Sequence, residues 1–503
     1  MIHQKVSSGL KLVVAAVVVL GGPSRAQAQR NPTRPSADSV VAIVGATLLD
    51  GNGGAPLSDA VIVIRGTRVM AVGARATTAI PKGARVIDAS GKYLTPGFVD
   101  TNVHVSLYSG LENFARYQDR FADIAVEAAQ MHLKVGVTTI RDSYGMLKPL
   151  IEARDRIARG EVPGPRMYVA GNIVGWGGPF SLSFTGRPQE NLGLFQEQMN
   201  DAITEGSGED LVNMEPDSLT AAINRYLDKG PDFLKYGGTS HFGNPVFIGF
   251  SERAQRAIVD AVHARGKVAE THSTTPEGLR VSIEAGVDLV QHPEVHDVPM
   301  SDDLVRLMVD HHVVCSMLTN TMTGKPYVEY ARQRQREDSV RRARSDSTQQ
   351  GTRRERTSAE RLKDRGNLGM EIRRANARKL IAAGCIVSVS TDNYLGLAPE
   401  FRRDPKPDWQ DPGTGTLASI EGLVELGMTP MQALTAATKN GAIASKALAE
   451  YGTIEVGKRA DLLLFSADPS ADIHNIRKLE MVMRDGTVID TKALPTKPVW
   501  VKR

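Results

Sequence analysis

Eight short apolar runs, each strand-like and each separated from the next by a helical stretch, constrain this chain more than any other feature. They are Phe98–His104, Val137–Asp142, Met167–Asn172, Phe233–Tyr236, Val268–His272, Leu289–His292, Val313–Leu318 and Ile386–Asp392. Strands alternating with helices predict parallel β-α units rather than two stacked antiparallel sheets. Eight is also the number that closes a β/α barrel, so an α/β fold with a distorted TIM-like (β/α)8 barrel is expected over residues 95–449. In such a barrel the strand C-termini and the loops after them carry the chemistry, which directs attention to one rim.

A second texture flanks the first. From Val40 to Leu94 the sequence is short β-rich runs broken by glycine, read as a small antiparallel sheet, and the same texture returns after residue 450 in Leu462-Leu463-Leu464-Phe465 and Met481-Val482-Met483. Residues 40–94 and 450–503 are therefore expected to build one composite β-sandwich domain from both ends of the chain.

The N-terminus reads as an export signal over residues 1–28. Lys5 and Lys11 precede the apolar run Leu12 to Leu20, and Ala26-Gln27-Ala28 supplies a small-residue cleavage site. The run is short for a bilayer span, and no later stretch reaches about 18 uninterrupted apolar residues, so no membrane span is expected after cleavage. Residues 29–39 read as a flexible leader. The expected location is periplasmic or extracellular. The formal charge of +4 includes Lys5, Lys11 and Arg25 with no acid in that segment, so the basic balance carries little information about nucleic acid. A basic insertion at about 325–370 interrupts the pattern with eleven Arg and one Lys against six acids between Ala331 and Arg365. The run from Ala331 to Arg365 lacks aromatics for base stacking and reads as a solvated helical hairpin or mobile insertion, placed where it could serve as a lid. Cys315 and Cys385 are the only cysteines; both lie in apolar runs and read as buried thiols, with one bridge between adjacent strands as the lesser alternative.

The ends of the eight runs hold a non-random set: His104, Asp142, Asn172, Lys235 near an end, His272, His292 and Asp392. Imidazole nitrogen and carboxylate oxygen are the donors preferred by zinc and similar divalent ions. Any one of these histidines alone is an ordinary packed residue; several at the same ends of separate strands are hard to attribute to packing. Lys235 lies in an apolar strand, where a buried ammonium would need neutralising and an outward, salt-bridging lysine is the alternative. Tyr236, His241, Asn172, Arg141 and Trp176 are candidates for orienting a polar substrate, each with an ordinary structural alternative. The glycine-rich stretch from Gly171 to Gly186 reads as a long mobile active-site loop. There is no Gly-x-Ser-x-Gly elbow, no His-Glu-x-x-His and no phosphate loop, and Gly413-Thr414-Gly415 follows no strand of a βαβ unit.

Longer motifs carry a resemblance. Leu94-Thr95-Pro96-Gly97-Phe98-Val99-Asp100, Gly136-Val137-Thr138-Thr139-Ile140-Arg141-Asp142, Glu284-Ala285-Gly286-Val287-Asp288 with His292, Ser390-Thr391-Asp392, Gly427-Met428-Thr429-Pro430 and Gly457-Lys458-Arg459-Ala460-Asp461-Leu462 are similar to the amidohydrolase superfamily. Within it the chain resembles the imidazolonepropionase-like and Xaa-Pro dipeptidase (prolidase)-like group. The resemblance implies one or two divalent metal ions, zinc foremost, bound by His104, Lys235 in carbamylated form, His272, His292 and Asp392, with Asp392 also shuttling the proton of the attacking water. It implies hydrolysis of an amide bond in a small-molecule or peptide-like substrate, a dipeptide or N-acyl amino acid. Cyclic-amide hydrolysis or deamination is the alternative chemistry. The family's first strand ends in His-x-His where this chain reads Asn102-Val103-His104. Three outcomes follow: Asn102 ligates through its carbonyl oxygen, a single ion sits at His272, His292 and the lysine, or a non-hydrolytic metal- or ligand-binding homologue results. An active metallohydrolase is the expectation, and a homo-oligomer is left open.

Overall fold

The structure, a computed structural model, describes residues 35–106, 110–185, 192–241, 246–296, 298–346, 358–402 and 406–497. The export signal and the start of the leader lie outside these residues.

Along the chain come β1 (Val40–Leu48), β2 (Leu57–Arg65), β3 (Arg68–Ala74), β4 (Arg85–Asp88) and β5 (Tyr93–Pro96). The eight central runs follow as β6 (Phe98–His104), β7 (Val137–Asp142), β8 (Arg166–Val169), β9 (Leu234–Gly237), β10 (Ala269–His272), β11 (Leu289–Gln291), β12 (Val314–Leu318) and β13 (Ile386–Ser390). The two-residue β14 (Asn393–Tyr394) comes next, then β15 (Leu462–Phe465), β16 (Leu479–Arg484) and β17 (Thr487–Val488). All eight expected central strands exist. Their ends differ most at β8, which stops at Val169 and leaves Asn172 in the following loop.

The central strands form two parallel arcs rather than one closed ladder: β13-β12-β11-β10-β9 and β14-β6-β7-β8. The arcs meet at two places. A parallel bridge pairs Val174 with Tyr236, and the Asp392 N–H donates to the Asn102 carbonyl at 2.9 Å, where β14 pairs with β6. These strands are buried on both faces; every residue of β6, β7, β9, β10 and β11 is buried. Continuous apolar runs rather than alternating ones are what that burial selects. Amphipathic helices cover the outside. The helix Glu252–His263, for instance, is capped by the Ser251 side chain and buries Ile258, Val259 and Val262.

Both chain ends contribute to one eight-stranded sheet, ordered β17-β16-β15-β5-β1-β2-β3 with β4 also on β1. It is mixed rather than antiparallel throughout, because β1 pairs with β4 and β5 in parallel. Two long helices, Gly324–Asp346 and Ser358–Ala382, occupy the basic insertion, whose middle lies outside the described residues. Cys315 and Cys385 are not free thiols but form a disulfide. Cys315 lies on β12 and Cys385 one residue before β13, and the parallel pairing of these strands brings the two together.

Candidate metal centre

The site forms where the two arcs approach each other. On β6 a register shift against β7 between Asp100 and Val103 marks a bulge, the usual device for re-aiming a side chain. Beyond it His104 Nε2 lies 2.8 Å from Asp392 Oδ1, and Asn102 Nδ2 donates to the same oxygen at 3.1 Å. Asn102 Oδ1 accepts from the Ser143 hydroxyl, which in turn accepts from Lys235 Nζ at 3.3 Å. On the other arc His272 Nδ1 and His292 Nε2 face each other at 3.1 Å. Trp176 lies edge-on to His272, with ring centres 4.8 Å apart, and 5.0 Å from His241. Gly237 permits this wall, since a Cβ there would lie 2.0 Å from Trp176 Nε1.

Burial dominates the electrostatics. It lowers His272 well below the ordinary imidazole range, helped by His292, His241 and Lys235, and lowers His292 to about 4. Both rings are therefore neutral lone-pair donors at pH 7. His104 is also lowered by burial, against the pull of Asp392. Burial works against the Asp392 carboxylate, but His104, His292 and Lys235 together hold it ionised. Lys235, 2% exposed, is lowered by desolvation despite Asp392, Glu270 and Asp142.

These donors suit a divalent ion. His272 Nε2 and His292 Nδ1 are buried with no hydrogen-bond partner, an arrangement that is costly unless the rings have another function. Among the described residues the acids and imidazoles stand as two facing pairs, His104 with Asp392 and His272 with His292; no three His, Cys, Asp or Glu side chains close on a single point. Asn102 has both ends of its amide engaged by Asp392 and Ser143.

A match to the amidohydrolase family covers residues 93–489. The chain belongs to the amidohydrolase family. This amidohydrolase is 34% identical to imidazolonepropionase of Brevibacillus brevis over 120 residues and 37% identical to that of a Geobacillus species over 120 residues. Each match covers 23% of this chain and 25% of the relative, so the chain spans about a quarter of the length of these curated relatives. Among solved structures it resembles molinate hydrolase (30% identity, TM-score 0.78, 93% of this chain and 98% of that one). It also resembles phenylurea hydrolase B (29%, TM-score 0.76, 92% and 99%). A Xaa-Pro dipeptidase with bound methionine, at 21% identity and TM-score 0.66 over 90% of this chain and 100% of that one, shares the fold.

The substrate-orienting candidates of this amidohydrolase divide. Trp176 and His241 stand beside His272. Tyr236 turns away, its hydroxyl donating to Gln255 Oε1 on the covering helix at 3.0 Å. Strand alternation requires this, because Lys235 faces inward. Arg141 is locked to Glu270 at 2.6 Å, with side chains 1% and 0% exposed, and lies over the Phe233 ring. Asn172 braces its own loop, donating to the Trp176 carbonyl at 2.9 Å and to Ser207 Oγ at 3.1 Å. Ser143 and Glu294 are additions that the sequence reading missed. Ser143 directly follows the β7 end residue Asp142, which was the available signal. Glu294 is buried, its carboxyl raised to about 7 by desolvation, and it accepts the Leu318 N–H at 2.7 Å, tying the loop after His292 to the end of β12.

Proposed function

We propose that this chain hydrolyses an amide-type carbon–nitrogen bond of a small molecule at a divalent ion held by His272, His292 and Asp392, zinc being the expected ion. The observation that carries this reading is the buried pair of neutral imidazoles, whose ring nitrogens His272 Nδ1 and His292 Nε2 converge at 3.1 Å, beside an ionised Asp392. When bound, the ion supplies a Lewis acid that polarises the scissile carbonyl and acidifies water. Asp392 accepts a proton from the attacking water and delivers it to the leaving nitrogen. Its side chain is 32% exposed, and both of its side-chain hydrogen bonds land on Oδ1, so the carboxylate can serve as base while anchored. Trp176 and His241 shape the substrate cavity. Carbamylation of Lys235, which the family resemblance implies, would add an anionic oxygen at the site, and the desolvation that lowers its amine from the ordinary lysine value is in keeping with it. We take the site to hold one ion, with Asn102 engaged by Asp392 and Ser143.

For the substrate, a dipeptide or N-acyl amino acid is one class. A neutral acylated or urea-type amine is favoured by a specific observation: Arg141, the cation we expected to orient a polar substrate, is bound to Glu270. The likeness to phenylurea hydrolase B and molinate hydrolase across more than nine-tenths of the chain supports this second class. We also take the two arcs as a distorted (β/α)8 barrel over 95–449, with residues 40–94 and 450–503 as its composite β-sandwich domain. The protein is exported. Its N-terminal signal pattern and the Cys315–Cys385 disulfide, a bond suited to oxidising compartments, support this. No helix among the described residues is long and apolar enough to cross a membrane.

The test is turnover of zinc-loaded protein on dipeptides, N-acyl amino acids, phenylureas and cyclic imides, beside Asp392→Asn with its zinc content measured. The expected result is hydrolysis of one class, lowered in kcat by roughly 10²–10⁴-fold in the variant. A variant that keeps both zinc and the full rate overturns the role of Asp392.

A further inference from the structure

Asn102, Ser143 and Lys235 form a continuous hydrogen-bonded file ending on Asp392, and the chemistry of each group fixes its direction. A carboxylate ion only accepts, so the amide end facing Asp392 Oδ1 at 3.1 Å is the Nδ2 donor. That puts Asn102 Oδ1 at the opposite end, where Ser143 must donate. The Ser143 hydroxyl has one proton, already committed to Asn102, so it meets Lys235 Nζ, 3.3 Å away, as an acceptor. Protons thus point one way along the file, from amine to carboxylate. Asn102 and Ser143 are completely buried and Lys235 is 2% exposed. The Ser143 N–H donates to the Val103 carbonyl at 3.1 Å, which keeps the hydroxyl beside Asn102 whatever occupies the cavity.

We infer that Ser143 is a positioning residue: by donating to Asn102 Oδ1 it holds the amide with its nitrogen on Asp392, and so orients the carboxylate that serves as base. The inference rests on the function proposed above. Ser143 acts through Asn102, whose amide oxygen it holds. Without its hydroxyl the Asn102 oxygen loses the donor that holds it. The amide is then free to turn, and Asp392 loses one of the two groups fixing Oδ1.

The test compares kcat, KM and zinc content for the wild type, Ser143→Ala, Ser143→Thr, Asn102→Ala and the Ser143→Ala/Asn102→Ala double variant, with a crystal structure of Ser143→Ala. Expected is a fall in kcat of about 10-fold or more in Ser143→Ala, the size usual for partners that orient site residues, with KM and zinc unchanged. Ser143→Thr, which keeps a hydroxyl, recovers most of it. In the Asn102→Ala background the Ser143 change has no further effect, because the two act as one unit. A purely structural serine would instead add its full loss in both backgrounds, and that result overturns the inference. If the wild type hydrolyses nothing in the panel, the proposed function fails on its own. The crystal structure still decides the positioning role: an amide turned away from Asp392 in Ser143→Ala upholds it, and an unmoved amide rejects it.

Discussion

His292 and Asp392 both hold left-handed backbone, with φ of 39° and 48°. Such conformations cost a non-glycine residue on the order of 1–3 kcal/mol and persist where the surroundings impose them, which is typical of functional sites. Here each follows the last residues of a strand, His292 after β11 and Asp392 after β13, and each brings its side chain to the site. Beneath them Arg141 and Glu270 form a fully buried ion pair that also receives Gln291 Nε2 at 3.0 Å. Removing one partner leaves an uncompensated charge, so Glu270→Ala should lose roughly 3–5 kcal/mol of stability, read from the urea midpoint. An unchanged midpoint would contradict the pairing. That the imidazoles and Asp392 meet at strand ends was legible in the sequence, because such donors at the ends of several strands are rare by chance. Arg141 was misread as a substrate contact because its partner lies 129 residues away, beyond any local pattern. Tyr236 was misread for a different reason. Once Lys235 faces inward, the two-residue strand period sends its neighbour outward, and that rule was available.

Among the elements, the strands were legible because burial on both faces writes them as unbroken apolar runs. Their ends were not, since turns such as that at His292 are set by contacts across strands. The cysteines illustrate the same limit: pairing needs the register of β12 against β13, which no local spacing reveals. The bond closes a loop with a sequence separation of 70, containing the whole basic insertion. Chain-entropy arguments assign about 4 kcal/mol to a loop of this length. Cys385→Ser should therefore lower the urea midpoint by an amount equivalent to about 2–4 kcal/mol, and reductant should do the same to the wild type but nothing to the variant. A wild type indifferent to reductant would argue against the bond.

For the whole molecule, the decisive junction lies between the central strands and the sheet built from both chain ends. Arg166 of β8 reaches Asp461 at 2.8 Å and Asp485 at 3.0 Å and lies over the Tyr451 ring. Burial alone would raise the Asp485 carboxyl, but Arg484, Arg166 and Arg459 hold it below its ordinary value of 3.8. A depressed folded value means that the folded state keeps this acid ionised where the unfolded chain takes up a proton. Its contribution is complete above about pH 4 and disappears as pH falls through the folded value. Asp485→Asn should therefore lower the Tm at pH 7, with the gap from wild type narrowing below pH 4; a gap independent of pH would contradict the linkage. The two-ended sheet was anticipated from the returning β texture, whereas this clamp, joining residues hundreds of positions apart, was not.

The account rests most directly on where a metal ion binds. Anomalous scattering at the zinc edge, from a crystal grown in saturating zinc, should show a peak at about 2.0–2.2 Å from ring nitrogens of His272 and His292 and from the Asp392 carboxylate. The Asn102 amide should remain on Asp392 and Ser143. A map with no peak between those histidines, or with zinc bound only elsewhere, would contradict the account.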